Sequence, residues 1–167
     1  MKNSENPKNG ANFENEISTF FSKNGVDLKK SYRVSLDVNS ITYDDENTNH
    51  NFDFGSDEFK YLIECKRHTW TSGNNVPSAK MSVWNEAMYY FLLATKNPYF
   101  RDFKKILIVL KAFKDDDNET LASYYIKRFS FLIPREVEIW EYDPIDKNCY
   151  QRTINKENDN KKIEFKK

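Results

Sequence analysis

The chain has 167 residues, of which 38% are hydrophobic and 16% aromatic, and its 26 basic and 26 acidic side chains leave no net charge. This length and apolar content suit one compact domain with its own core. No stretch approaches the roughly 20 apolar residues of a membrane span, and the first six residues, MKNSEN, lack the apolar core of a signal peptide. The sequence therefore predicts an intracellular, cytoplasmic protein. Cys65 and Cys149 have no Cys/His cluster beside them, which favours neither a disulfide framework nor a zinc site.

The first half of the chain is predicted to form one helix and three strands. Residues 12–24 carry apolar side chains at helical spacing, and Gly25 is the expected end of that helix. Alternation of polar and apolar residues predicts a strand at 32–38. Two further strands, 50–55 and 61–66, flank a turn that is typical of a hairpin.

The second half is predicted to alternate helices and strands. In chain order these are a helix at 78–94, a buried strand at 106–110, a helix at 118–132 and a strand at 137–142 that can turn back into 150–154. The order α-β-β-β-α-β-α-β predicts an α/β fold, a mixed β-sheet flanked by helices with 106–110 at its centre. Residues 1–155 would form the single domain, and the polar tail, 156–167, is expected to be disordered.

Three polar side chains gather at the predicted hairpin. Glu64 and Lys66 are two residues apart, so in a strand they point to the same face. If the pairing is centred on the turn, Asp53 lies opposite Lys60 and shares that face. A slip of one residue would move Asp53 to the other face.

These residue types suit metal-assisted phosphodiester chemistry. Mg²⁺ usually takes one or two carboxylates, which Asp53 and Glu64 would supply, together with water and phosphate oxygens. Such an ion polarises a phosphate and lowers the pKa of bound water, and Lys66 could hold the attacking water or neutralise charge in the transition state. The plainer interpretation is that a Glu-x-Lys pair only forms the solvated surface of a strand, since the pattern is common.

The motif as a whole resembles that of the PD-(D/E)xK nuclease superfamily. The resemblance lies in Phe52 and Asp53, followed by a turn and the run Leu62-Ile63-Glu64-Cys65-Lys66, with Phe52 standing where the name-giving proline would be. Residues 10–25 resemble the first helix of that superfamily. There Glu14 matches a glutamate that assists the metal site, and Glu16 is the second choice.

The resemblance implies a restriction-endonuclease-like fold and a Mg²⁺-dependent endonuclease, with Mn²⁺ as a substitute, that cuts DNA to 5′-phosphate and 3′-hydroxyl ends. It implies that Asp53 and Glu64 hold the metal, that the Cys65 carbonyl completes the shell and that Lys66 positions the water. Glu14 would orient the site or bind a second ion. Two alternatives stay open at this point, a non-catalytic DNA- or protein-binding module on the same fold and a nuclease acting on RNA.

Residues after the third strand are candidates for contacts to DNA. Arg67, His68 and Lys80 could contact the backbone and Trp70 could stack on an unpaired base, or these side chains could be structural or face solvent. The zero net charge argues against a nucleic-acid partner, but acidic residues gather at 44–46 and 115–119, away from the basic residues of the strands. A homodimer is expected, with the helix 78–94 or the C-terminal hairpin as its interface.

Overall fold

The computed structural model describes residues 5–36, 49–115 and 118–165. Its elements, in chain order, are α1 (Glu5–Lys23), β1 (Lys29–Ser35), β2 (Asn49–Ser56), β3 (Tyr61–Lys66), α2 (Ser78–Lys96), β4 (Lys104–Leu110), α3 (Leu121–Phe129), a 3₁₀ turn (Ser130–Leu132), β5 (Val137–Asp143), β6 (Asn148–Arg152) and β7 (Lys161–Lys162). The predicted α/β class with a mixed sheet is confirmed; β6 matches the segment 150–154 into which the strand 137–142 is predicted to turn, and β7 follows the predicted elements. The acidic residues 44–46 lie outside the described residues.

The seven strands form one sheet in the order in which they occur along the chain. β3, β4 and β5 run parallel, and the other neighbouring strands pair antiparallel. β4 is the central strand, and its side chains from Ile106 to Val109 are fully buried. Because β3, β4 and β5 are parallel, their carboxyl ends meet at one edge of the sheet, where α/β proteins commonly place their sites.

Helices cover both faces of the sheet. On one side, which we call the α1 face, Phe13, Ile17 and Phe21 of α1 pack with Ile63 and Trp140. On the opposite side, the α2 face, residues of α2 and α3 pack with Leu62, Leu107 and Val109. Within the described part of the chain, no helix combines the length and apolarity that a membrane crossing requires.

The first helix begins seven residues earlier than the apolar pattern predicts. Its extra turns contain Pro7, which a helix tolerates near its start. The helix ends as predicted at Gly25, whose φ of +76° suits glycine. There the N–H of Gly25 donates to the Ser22 carbonyl and that of Val26 donates to the Phe21 carbonyl, which satisfies two carbonyls of the last turn.

The pairing of β2 with β3 differs from the expected register. Phe54 pairs with Ile63 and Ser56 with Tyr61, so continuing the register brings Asp53 level with Glu64. The expected pairing of Asp53 with Lys60 is wrong, because Lys60 lies in the turn with a positive φ of 54°. The offset is four residues, an even number, so the expected face of Asp53 is unaffected.

The alternation of side chains along β2 is broken at Asp53, so that the residues before it point to the opposite face from the one that a regular strand would give them. We call this reversal the turn-over of β2. Phe54 lies on the α1 face, whereas Phe52, which a regular strand would place on the same side, lies on the α2 face. On β1, Ser31 stands level with Asp53, between the pairs Lys30↔Phe54 and Tyr32↔Phe52, and its φ is 51°. A left-handed residue in an edge strand rotates the chain locally, and the paired strands twist together.

The C-terminal tail, expected to be disordered, is described as far as residue 165. Lys161 and Lys162 form β7 against β6. Phe165 packs against Phe20, Phe21 and Trp140, with ring centroids 5.7, 5.3 and 6.4 Å apart. One aromatic side chain thus ties a polar segment to the α1 face, and average composition does not reveal such an anchor.

Candidate active site

The candidate site lies between β2 and β3, at the carboxyl end of β3. We call the space between Asp53 of β2 and Glu64 and Lys66 of β3 the fork. The register of the two strands runs from Ser56↔Tyr61 to Phe54↔Ile63. Beyond it, the backbone N–H of Cys65 donates to Oδ2 of Asp53 at 2.7 Å. A side chain thus takes the place of the next ladder bond, and the Asp53 carboxylate is held in the gap between the strands.

Glu64 and Lys66 project into the same gap. Nζ of Lys66 lies 2.9 Å from Oε2 of Glu64 and 3.9 Å from Oδ2 of Asp53. The side chain of Glu64 is 5% exposed, whereas those of Lys66 and Asp53 are 19% and 25% exposed. The fold therefore brings together the three residues that the sequence singles out, with Glu64 at the bottom of the fork and the other two nearer to solvent.

The charges of the three groups are strongly coupled. Burial, followed by the charge of Glu64, raises the pKa of Asp53 to about 7, although Lys66 and the Cys65 N–H oppose this shift. Burial also acts to raise the pKa of Glu64, but the hydrogen bond to His50 and the charge of Lys66 outweigh it and hold that pKa below its usual value. Burial acts to lower the pKa of Lys66, and the charges of Glu64 and Asp53 raise it. Two carboxylates thus share one ammonium, and Asp53, whose pKa is raised, is the carboxylate that a proton can also neutralise.

No sequence pattern predicts a role for His50, yet its Nε2 lies 2.7 Å from Oε1 of Glu64. In a regular strand His50, three residues before Asp53, would point to the opposite face. The turn-over of β2 at Asp53 reverses this and places His50 with Phe52, whose ring it meets edge-on. The residues of β2 alone do not predict this contact, because the reversal at Asp53 lies beside the left-handed residue Ser31 of the neighbouring strand.

The donors in the fork could serve a hard divalent cation. Within residues 5–36, 49–115 and 118–165, no cluster of three or more His, Cys, Asp and Glu side chains is arranged to hold a metal ion. Two carboxylates, with water and phosphate oxygens, are nevertheless a usual set for Mg²⁺. In an extended strand the C=O of a residue points to the same side as its N–H, so the Cys65 carbonyl faces the fork as well. The donor set fits such an ion, which could take the place of the proton that the raised pKa of Asp53 favours.

The two acidic residues of α1 lie apart from these groups. Glu14 is half-buried on the helix that packs on the α1 face, and its charge contributes, after burial and after Asp53 and Glu64, to the raised pKa of the Cys65 thiol. Glu64 and Lys66 project from the other side of β3. Glu16 is exposed and, with Tyr142, lines a groove. Burial, followed by the charge of Glu16, raises the pKa of Tyr142.

The four candidate DNA contacts follow β3 and enter α2. Arg67 and Lys80 are exposed, whereas Trp70 is half-buried, with its indole N–H donating to the Ala112 carbonyl at 3.0 Å. His68 accepts a hydrogen bond at Nδ1 from the Trp84 indole at 2.8 Å. Burial, followed by the charges of Lys80 and Lys66, lowers the pKa of His68 to about 4. His68 is therefore neutral at pH 7 and does not offer a phosphate a positive charge.

Comparison with known proteins finds no family model, no curated protein and no solved structure that matches the chain. The function is therefore inferred from the geometry of the fork.

Proposed function

We propose that the protein is a Mg²⁺-dependent endonuclease that hydrolyses DNA phosphodiester bonds to 5′-phosphate and 3′-hydroxyl ends, on a restriction-endonuclease-like fold. The observation that carries the proposal is the convergence of Asp53, Glu64 and Lys66 in the fork at the carboxyl end of β3, with Lys66 Nζ 2.9 and 3.9 Å from the two carboxylates. A purely structural ion pair needs one carboxylate for one ammonium. A second, partly buried carboxylate is costly unless a proton or a further cation neutralises it.

Each residue of the fork has a defined task in this proposal. Asp53 and Glu64 hold the metal, together with the carbonyl of Cys65. A bound Mg²⁺ supplies a Lewis acid for the phosphate and a water of lowered pKa. Lys66 keeps its proton at neutral pH, so it can hold the attacking water or offset the charge that develops on the phosphoryl oxygens. Glu14, on the other side of β3, would orient the site through Cys65 or bind a second ion.

The neighbouring surface is consistent with a polyanionic substrate. Arg67 and Lys80 are exposed beside the fork, and Lys114 lies 5.7 Å from the ring centroid of Trp70. At the same edge of the sheet Lys111 is paired with Asp143 at 2.9 Å. Contacts from such basic side chains to phosphate groups would position a nucleic acid without reading its sequence.

The test is incubation of the purified protein with supercoiled, linear, branched and single-stranded DNA, with RNA in parallel, in Mg²⁺, Mn²⁺, Ca²⁺ or excess chelator. We expect cleavage in Mg²⁺ and Mn²⁺, and binding without cleavage in Ca²⁺. Full activity in chelator would remove the metal mechanism. Binding without cleavage in every metal would favour the non-catalytic module, and cleavage confined to RNA would change the substrate class.

A further inference from the structure

The two oxygens of the Glu64 carboxylate have different partners. Oε2 receives the Lys66 ammonium at 2.9 Å, on the side of Asp53, whereas Oε1 lies 2.7 Å from Nε2 of His50. An ionised carboxylate only accepts hydrogen bonds, so Nε2 carries the proton in this contact. Glu64 is therefore held at both oxygens, with His50 on one side and Lys66 on the other.

His50 is itself fixed by two aromatic side chains. Its ring stacks on Tyr90 of α2, with centroids 3.8 Å apart and planes 12° from parallel. The ring of Phe52 meets it edge-on at 4.6 Å. The His50 side chain is 19% exposed. A ring clamped in this way has little freedom to turn Nε2 away from Glu64.

We propose that His50 is a positioning residue, which holds Oε1 of Glu64 so that Oε2 is presented toward Asp53 and the metal. The inference rests on the proposed function of the fork. The terminal torsion of a glutamate is broad, so without a partner on Oε1 the carboxylate could turn away from its metal-binding orientation. Partners that hydrogen-bond a ligating side chain typically change metal affinity or activity by about 10–100-fold when they are removed.

The experiment measures Mn²⁺ binding in the absence of DNA, by calorimetry and by the loss of the free-ion EPR signal, in folded variants. His50→Ala should bind Mn²⁺ about 10–100-fold more weakly than the parent. His50→Gln retains an N–H donor near the position of Nε2 and should stay within about threefold of the parent. Asn51→Ala, an exposed neighbour in β2, is the control and should bind like the parent.

The variants separate this inference from the function on which it depends. If the parent binds no Mn²⁺, the proposed function fails and the inference fails with it. If the parent binds and His50→Ala binds equally well, His50 does not position Glu64, while the metal site stands. If His50→Gln is as weak as His50→Ala, the hydrogen bond is not the reason for the loss. If His50→Ala does not fold, the test uses Tyr90→Leu, which removes the ring stacked on His50 without changing β2. Tyr90→Leu should weaken Mn²⁺ binding several-fold. Parent-like binding in this variant would overturn the inference.

Discussion

Single residues of the fork have different tasks in the proposed function, and a change at Lys66 would separate catalysis from DNA binding most clearly. Its ammonium contacts both carboxylates, and one preorganised electrostatic group of this kind is typically worth about 10²–10³ in rate. We expect Lys66→Ala to lower the cleavage rate by that factor, while DNA affinity in Ca²⁺ falls only modestly. Glu64→Gln should be equally inactive and should also bind metal more weakly.

Lys104 provides the matched control for Lys66. It lies at the amino end of β4, at the opposite edge of the sheet, where its side chain is 45% exposed and paired with Glu138. Lys104→Ala should cleave like the parent. If folded Lys66→Ala and Glu64→Gln cleave and bind like the parent, the proposed site is wrong.

His68 makes the stability of the protein sensitive to acid. Its pKa is about 4 in the folded chain and near 6.5 in an unfolded one. Between these values the unfolded state binds a proton at His68 and the folded state does not. The free energy of unfolding should therefore fall progressively as the pH falls from 6.5 to 4. His68→Gln removes the titrating group, and chemical denaturation of both proteins at pH 7.5, 6 and 4.5 should show a smaller fall for the variant. Equal falls would contradict the assignment.

Among the elements, the β1–β2 pair places the ring of Tyr32 directly against the backbone of Gly55. A Cβ at this position would fall well inside van der Waals contact with the ring of Tyr32. We expect Gly55→Ala to destabilise the protein by about 1–3 kcal/mol, because the ring or the strand must move. Gly10, on an open side of α1, is the control, and Gly10→Ala should be neutral or stabilising by up to about 1 kcal/mol. Urea denaturation measures both; similar effects in the two variants would argue against the close approach.

The tail is a second element whose structure can be tested by stability. Phe165 is half-buried against the rings of the α1 face, so Phe165→Ala should cost about 1–3 kcal/mol through lost apolar contact. Lys161→Ala, an exposed change in β7, should stay within about 0.5 kcal/mol of the parent. A parent-like unfolding midpoint for Phe165→Ala would mean that the tail does not pack in solution.

For the whole molecule, if the proposed function holds, one fork would cut one strand, and double-strand cleavage would be simplest for a twofold dimer. On α2, Tyr89 and Leu92 are 59% and 42% exposed and lie three residues apart, and Ile145 in the β5–β6 turn is 92% exposed. We expect a homodimer by light scattering, and Leu92→Glu should shift it to monomer if α2 is the interface. A monomer with and without DNA would count against the dimer and would favour a nickase or an end-processing enzyme.

The order of the helices and strands, and the shared face of Glu64 and Lys66, follow from local patterns in the chain. Hydrophobic patterns and turn residues indicated all three helices and the strands up to β6. The strand β4, which is buried on both sides, is a continuous apolar run, and elements that bury one side show this in the spacing of their apolar residues. The Glu-x-Lys spacing placed Glu64 and Lys66 on one side of β3 for the same reason. Asp53 reached the expected face even though its expected partner was wrong, since a register error of four residues preserves the alternation of a strand.

Features of one segment that depend on a distant segment are visible only in the folded chain. The left-handed residue Ser31 in β1 accompanies the turn-over of β2, and that reversal brings His50 to Glu64. The order of the tail depends on a pocket of rings from α1 and β5 that receives Phe165. Local spacing carries no record of such contacts, because the residues that make them lie far apart in the chain and meet only when the sheet is assembled.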